Sequence, residues 1–329
     1  MNIRLTSLHC FVAALFVCTA AALSSCSSTK DNSATVITKT RKFPNVDSLV
    51  RTSPLVLKVS SSATTALAQG VKLTDMDITI PPSLSGETEN MKEKIHIVAI
   101  DPYKDGINIR TATPNNSVAV PTGKWPHQSL SGMAKALDTP SAPVLAMVNA
   151  DFWNTTTQIA VGPLHCNGTV IKSTFEPLYK KQGISFIGVS KSKVMAIEHS
   201  SEYERLQNVY PNLTGSGIIL VWNGKDVDNS GDSDKERHPR TAIGYTSDNH
   251  CFFLTVDGRS TASKGMTMDD MGSIFSAMGC VAAVNLDGGG STMLLVRDPS
   301  DGALKIWNTP SDGKERAVID AWVVTGKPE

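Results

Sequence analysis

Three places in the sequence set a carboxylate beside an amide or a guanidinium just where an apolar run ends. Val148-Asn149-Ala150-Asp151 carries Asn149 and Asp151 two residues apart, and Val284-Asn285-Leu286-Asp287 repeats the pattern with Asn285 and Asp287. Leu254-Thr255-Val256-Asp257-Gly258-Arg259 lines up Thr255, Asp257 and Arg259 in the same way. Side chains alternate across an extended chain, so each set projects from one face of its strand and can wall a polar pocket on a rigid frame. The simpler alternative at each place is an Asp that only opens a turn, since Asp-Gly is a strong turn signal. Three repeats of the pattern favour the pocket.

The string Asp287-Gly288-Gly289-Gly290-Ser291-Thr292 adds three consecutive glycines and two hydroxyls. Glycines accept positive φ and let the backbone approach a ligand closely, and successive N–H groups can form an anion-binding nest. The spacing is neither that of a Walker loop nor that of a dinucleotide loop, which argues against a nucleotide cofactor. Upstream, His238-Pro239-Arg240-Thr241-Ala242-Ile243-Gly244 leads into another apolar strand. Arg240 there offers paired donors in one plane, the geometry that recognises phosphate or carboxylate. A separate reading concerns calcium. Asp226, Asp228, Ser230 and Gly231 fall at positions 1, 3, 5 and 6 of an EF-hand loop, but Arg237 stands where the bidentate Glu belongs and no flanking helices are evident. A solvated acidic loop is the alternative, and no cofactor is firmly implied.

These residues need a frame, and the chain supplies short apolar runs of strand length: 94–100, 144–148, 185–189, 218–222, 251–256, 281–286 and 317–324. Bounded by Gly, Pro, Asn or Asp, they suit buried strands better than helices. Two stretches read as helices, Ser129 to Leu137 and a second opened by Thr267 and Asp270 at capping-box spacing. In the second, Met271, Ile274, Phe275 and Met278 follow on one face, and Gly279 supplies a stop. Strands dominating over few helices predict an α+β fold, mixed and largely antiparallel, in a single domain.

The charge balance is even, with 31 basic and 31 acidic residues. That excludes the broad cationic footprint a nucleic-acid partner requires. Residues 1–26 read as an export signal, with Arg4, an apolar run from Leu8 to Leu23, and Leu23-Ser24-Ser25-Cys26 as a lipobox. The run is too short for a retained membrane span. Cys26 would then be lipidated, which places the protein in the cell envelope, periplasmic or at the cell surface. Residues 27–50 read as a flexible tether, too polar to bury the surface that would offset their ordering, and 51–329 as the domain. Cys166, Cys251 and Cys280 match no zinc pattern. Buried free thiols are the simpler reading and one disulfide the alternative.

Taken together, these strings resemble the phosphodiester glycosidase family. The resemblance is carried in order by Asn149-Ala150-Asp151-Phe152-Trp153, Gly162-Pro163 with Asn167-Gly168, His238 to Gly244, Asp257-Gly258-Arg259, Gly265-Met266-Thr267 and Asn285 to Ser291, and it covers roughly residues 55 to 326. The chain departs at the first motif, where family members often carry Asn-Gly-Gly-Phe-Phe. Asp151 is an extra carboxylate there, able to change the substrate or ligate a metal. The resemblance implies hydrolysis of the bond between a sugar's anomeric carbon and a phosphodiester oxygen. The leaving group, a phosphomonoester, is stable as an anion, so electrostatic stabilisation of the phosphate matters more than protonation. Asp287 is the first expectation for the nucleophile or base and Asp257 the second. Arg240, Arg259 and the amides of Gly288, Gly289 and Gly290 would face the phosphate. Asn149, Asp151, Thr241, Asn285, Ser291 and Thr292 would complete the substrate contacts, with a carbohydrate or sugar phosphate as the partner. Two alternatives stand beside it: a surface lipoprotein that binds glycans without catalysis, and a metal-assisted phosphodiesterase that cuts the P–O bond.

Overall fold

The computed structural model describes residues 41–176, 182–229 and 235–329. The export signal, Cys26, the first part of the tether and Ser230 lie outside them. The domain begins earlier than residue 51. Asn45 caps a short helix α1 (Val46–Val50) by accepting from the Ser48 amide, and Val46 and Val50, one turn apart, are buried. Apolar residues at i and i+4 behind a capping Asn are enough to fold this stretch onto the domain.

The described residues contain eighteen strands. In chain order these are β1 (Lys58–Ala68), β2 (Val71–Ile80), β3 (Met91–Ile100), β4 (Asn108–Ala112), β5 (Val144–Asn149) and β6 (Leu164–Cys166). Then come β7 (Thr169–Lys172), β8 (Ser185–Val189), β9 (Met195–His199), β10 (Asn212–Ser216), β11 (Ile219–Trp222) and β12 (Lys225–Asp226). The last are β13 (Arg240–Thr246), β14 (Cys251–Val256), β15 (Cys280–Asn285), β16 (Leu294–Arg297), β17 (Leu304–Ile306) and β18 (Ala321–Thr325). They form an eight-stranded sheet in the order β1-β2-β3-β14-β13-β15-β11-β12, and two five-stranded sheets, β7-β6-β10-β8-β9 and β17-β16-β5-β18-β4. All named strand pairs are antiparallel. The α+β expectation is met.

Both predicted longer helices form. After α2 (Pro82–Ser85), α3 (Leu130–Leu137) is capped by the Ser129 side chain. After α4 (Tyr203–Leu206), α5 (Met268–Ala277) opens with a complete capping box between Thr267 and Asp270. Its Met271, Ile274 and Phe275 pack against Phe252, Leu254 and Ala242 on one face of the large sheet. The other face, through Phe253, Ile243 and Val284, packs against Val148, Trp322 and Ile187 of the smaller sheets. The indole of Trp322 donates to Thr214 Oγ1 at 2.9 Å and so joins β18 to β10. Truncating a fully buried aromatic such as Phe275 to Ala costs about 3–5 kcal/mol in settings of this kind. Cys166, Cys251 and Cys280 are free and buried, as the simpler reading had it.

Candidate active site

The site forms where the ends of the three sheets meet. Antiparallel pairing of β5 with β18 sets Ala321 opposite Asn149, so the residue after β5 and the residue before β18 become neighbours. The Asp151 amide accordingly donates to Asp320 Oδ1 at 2.8 Å. The third acid arrives from the large sheet: beyond β15, the Asp287 amide donates to Ala150 O at 3.0 Å and Asn149 Nδ2 donates to Asp287 O at 2.6 Å. The carboxylate of Asp151 is gripped by the amides of Phe152 and Gly162, both at 2.8 Å. It lies against Gly215, where a Cβ would sit 2.5 Å from Gly162 Cα and 2.7 Å from Asp151 Oδ2, so only glycine fits.

Burial raises the pKa of all three acids. Asp287 is pushed up to about 6 by burial, against the opposing effects of the Ser291 hydroxyl, the Gly288 amide and Arg316. Asp320 is pushed up to about 7 by burial, with the Asp287 charge adding to the rise. Asp151 is raised well above its ordinary value by burial and by Asp320. Asp320 and Asp151 are closed to solvent, whereas Asp287 is half-buried. Near neutral pH, therefore, Asp287 is mostly ionised and its charge favours a proton on Asp320. Asp320 Oδ2 has no hydrogen-bond partner among the described residues.

Two guanidiniums stand over the glycine turn. Arg316 reaches Ser291 Oγ at 3.4 Å and Asp312 at 2.7 and 2.9 Å. A Cβ on Gly290 would lie 1.9 Å from Arg316 Nη2, so the missing side chain is what admits the guanidinium. Arg259 is exposed, holds φ 60°, and places Nη2 3.0 Å from where a Gly289 Cβ would be and 3.5 Å from His238 Nδ1. The turn differs from the expected open nest. Gly288 N donates to Asp287 Oδ1, Gly289 N to Pro239 O, Ser291 N to Gly288 O and Thr292 N to Gly289 O. With those amides engaged by the turn itself and by Pro239, the positive charge at the turn comes from Arg259 and Arg316.

Of the residues singled out in the sequence, the structure gathers Asp287, Asp151, Arg259, Gly288, Gly289, Gly290 and Ser291 here. Asn149 and Thr241 lie directly behind. Thr241 Oγ1 donates to Asn149 Oδ1 at 2.7 Å and the Met293 amide donates to the same oxygen at 3.0 Å. The Asn149 side-chain amide is a buried cross-link between sheets, with both its polar atoms bonded to protein. Asn285 and Thr292 are also buried, each with an oxygen lacking a hydrogen-bond partner among the described residues. Arg240 starts β13 at the same end of the sheet, but its Nε donates to Met266 O at 2.9 Å and its Nη2 to Glu236 O at 2.8 Å. Asp257 is buried and accepts from the Thr309 amide at 2.9 Å, beside His96 at 3.8 Å. Asp257 is drawn into holding the backbone, and Arg240 does so while bordering the glycine turn, its Cδ 3.8 Å from where a Gly288 Cβ would be. Sequence reasoning missed Asp320 and Arg316. The available signal was the Asp that interrupts the apolar stretch Val318-Ile319-Asp320-Ala321-Trp322, read as strand interior.

At the calcium candidate, Asp226 ends β12 and accepts a hydrogen bond from Ser276. Among the described residues no group of three or more His, Cys, Asp or Glu side chains is arranged to hold a metal ion.

Comparison with known proteins agrees with the fold and with the motifs. The model of the phosphodiester glycosidase family matches residues 142–325, more than half of the chain, and the chain belongs to that family. It is 46% identical over 89 residues to the SPbeta prophage-derived uncharacterized protein YomE of Bacillus subtilis (strain 168). That match covers 27% of this chain and 13% of YomE, so the chain spans only a small part of this curated relative. Among solved structures it is similar to the zebrafish N-acetylglucosamine-1-phosphodiester alpha-N-acetylglucosaminidase catalytic domain, auto-inhibited by its pro-peptide. The TM-score is 0.59 at 17% identity, over 87% of this chain and 95% of that one. A hypothetical protein from Synechocystis gives a TM-score of 0.57 at 17% identity, over 81% of this chain and 64% of that chain. At such identities the structural likeness is one of fold.

Proposed function

We propose that the chain hydrolyses the glycosidic bond of sugar-1-phosphate diesters, in glycans or glycoconjugates, with Asp287 as the reacting carboxylate. The observation that carries this reading is a half-buried Asp287, ionised near neutral pH over a buried acid that favours the proton, with two guanidiniums across the same glycine turn. Asp287 attacks the anomeric carbon, or takes a proton from the water that does, the two options open to a glycosidase carboxylate. The C1–O bond breaks and its electron pair leaves on the phosphate oxygen. Arg316 and Arg259 hold that phosphate with charged donors, in the bound substrate as in the departing anion. Burial sets the ionisation of Asp287, and its charge in turn favours the proton on Asp320 beneath it. The reaction occurs outside the cytoplasm on a protein anchored through Cys26, a reading that rests on the lipobox in residues 1–26.

Hydrolysis of a sugar-1-phosphodiester in water enriched in heavy oxygen tests the chemistry. Label in the sugar is expected. Label in the phosphate would mean P–O cleavage, and tight binding without turnover across a panel of phosphodiesters would mean a glycan-binding protein.

A further inference from the structure

We propose that His96 is a positioning residue for the phosphate side of this site, acting through a buried clasp that holds the segment leading to Arg316. The proposal rests on the reading of the site just given. His96 stands on β3, outside the matched residues 142–325, and belongs to none of the motifs.

Register sets the clasp. His96 lies opposite Asp75 on β2 and opposite Thr255 on β14, with Asp257 two residues beyond Thr255 on the same face. His96 Nδ1 is 2.6 Å from Asp75 Oδ1, and Nε2 is 3.8 Å from Asp257 Oδ2. At that second distance Asp257 acts through charge, since Nε2 is buried with no hydrogen-bond partner among the described residues. Each carboxylate also receives a donor from one short stretch of chain. Trp307 Nε1 donates to both oxygens of Asp75 at 2.9 and 3.0 Å, and the Thr309 amide donates to Asp257 Oδ1 at 2.9 Å. Asn308, between them, accepts from the Leu294 amide and donates to Thr292 O. The segment then runs on to Asp312 and Arg316 over the glycine turn. Trp307 to Thr309 thus hangs from two acids, and His96 is the cation between those acids.

The electrostatics agree with this geometry. Burial alone would lower the His96 pKa, but Asp257 and Asp75 outweigh it and hold it up to about 9. Burial would likewise raise Asp257, but His96 and the Thr309 amide hold it below its ordinary value. The other charged pair on this face of β2 and β3, Lys94 with Asp77 at 3.6 Å, is more than 40% exposed and screened by solvent. Removing the imidazolium leaves the buried Asp257 and the half-buried Asp75 without the cation between them, and Asp257 must take up a proton or move. Either way the ties to Trp307 and Thr309 loosen.

Kinetics of the full chain on one synthetic sugar-1-phosphodiester test this, alongside amide exchange at Thr309 and calorimetric binding of inorganic phosphate. His96→Gln is expected to raise KM about tenfold with little change in kcat, to weaken phosphate binding in step, and to speed Thr309 exchange. A KM-only effect is what loss of uniform phosphate binding predicts. Because the folded pKa lies above the ordinary histidine value, the contribution is complete below pH ~6.5 and is lost as pH rises through about 9. KM of the wild type should therefore climb above pH 9, and that of His96→Gln should already be high and stay level. Trp307→Phe removes one tie without stranding a buried charge and should raise KM by a smaller factor, about threefold. A folded His96→Gln protein with wild-type KM and wild-type Thr309 exchange overturns the proposal, as does a loss confined to kcat. Should the wild type turn over no sugar-1-phosphodiester, exchange and phosphate binding still decide the role of His96, and only the glycosidase reading falls.

Discussion

Asp257 follows β14 and Asp287 follows β15, the two strands that flank β13 in the large sheet. Both acids sit at the same end, Asp257 buried and Asp287 half-buried, and the sequence around them is alike. Their ionisation nevertheless moves in opposite directions. Asp257 faces His96 and the Thr309 amide, and these outweigh its burial. Asp287 has Ser291, the Gly288 amide and Arg316, and burial wins. The difference lies in the cation: His96 stands between Asp257 and Asp75, whereas the cation nearest Asp287, Arg316, is bonded to Asp312 and burial outweighs it. A desolvated carboxylate held by a close cation becomes a structural tie, and one whose burial outweighs its donors is left poised near the working pH, where a catalytic group is most useful.

The largest effect that could break this contrast is catalytic. Asp287→Asn should lower kcat/KM at least about a thousandfold, in the range seen for single catalytic acids, with the melting temperature unchanged or raised. In the wild type, activity should fall as pH drops through about 6, because Asp287 must be ionised to react. A profile flat from pH 5 to 7 would remove Asp287 from the role. Arg316→Ala comes next, with an expected loss of about ten- to a hundredfold in kcat/KM for one charged donor to the leaving phosphate. Gly290→Ala should act in the same direction, since the added Cβ would land 1.9 Å from Arg316 Nη2. If Gly290→Ala keeps full activity while Arg316→Ala does not, the guanidinium binds the phosphate from another position.

Much of the frame was legible in the chain. The apolar runs at 144–148, 185–189 and 251–256 are strands, and the Thr267/Asp270 capping box forms as spaced. β1 went unread because most of it is exposed, and β2 because its burial alternates. Val71, Leu73 and Met76 face inward while Lys72 and Asp75 interrupt the run, so no continuous apolar stretch marks them. The two acids that share Asp287's setting were unequally visible. Asp151 stands after a strand, where a pocket residue is expected, and Asp320 stands before one, where it reads as a break in a hydrophobic run. Only the antiparallel pairing of β5 with β18 makes those two positions equivalent, and pairing is long-range information. Arg240 and Asp257 were visible for the right chemical reason. Their partners, the Met266 and Glu236 carbonyls and the Thr309 amide, are far away or irregular backbone that no spacing rule announces.

Stability separates the two groups more finely. Asp257→Asn removes one of the two carboxylates that hold the His96 charge and should destabilise the fold at pH 7 by about 3 kcal/mol, the low end for breaking a buried ion pair. Because the folded pKa of Asp257 is depressed, that difference should shrink as pH falls below the ordinary aspartate range. Asp320→Asn should do the reverse, by a smaller amount. Its folded pKa of about 7 lies above the unfolded value, so the wild type loses stability as pH rises from the aspartate range through 7. An uncharged Asn escapes that loss. The melting temperature of Asp320→Asn should exceed that of the wild type by about 2–4 °C at pH 8, roughly 1 kcal/mol in a domain of this size, and the gap should close below pH 4. A variant that melts lower than the wild type at pH 8 would mean that Asp320 is held by a favourable partner, and the contrast with Asp257 would disappear.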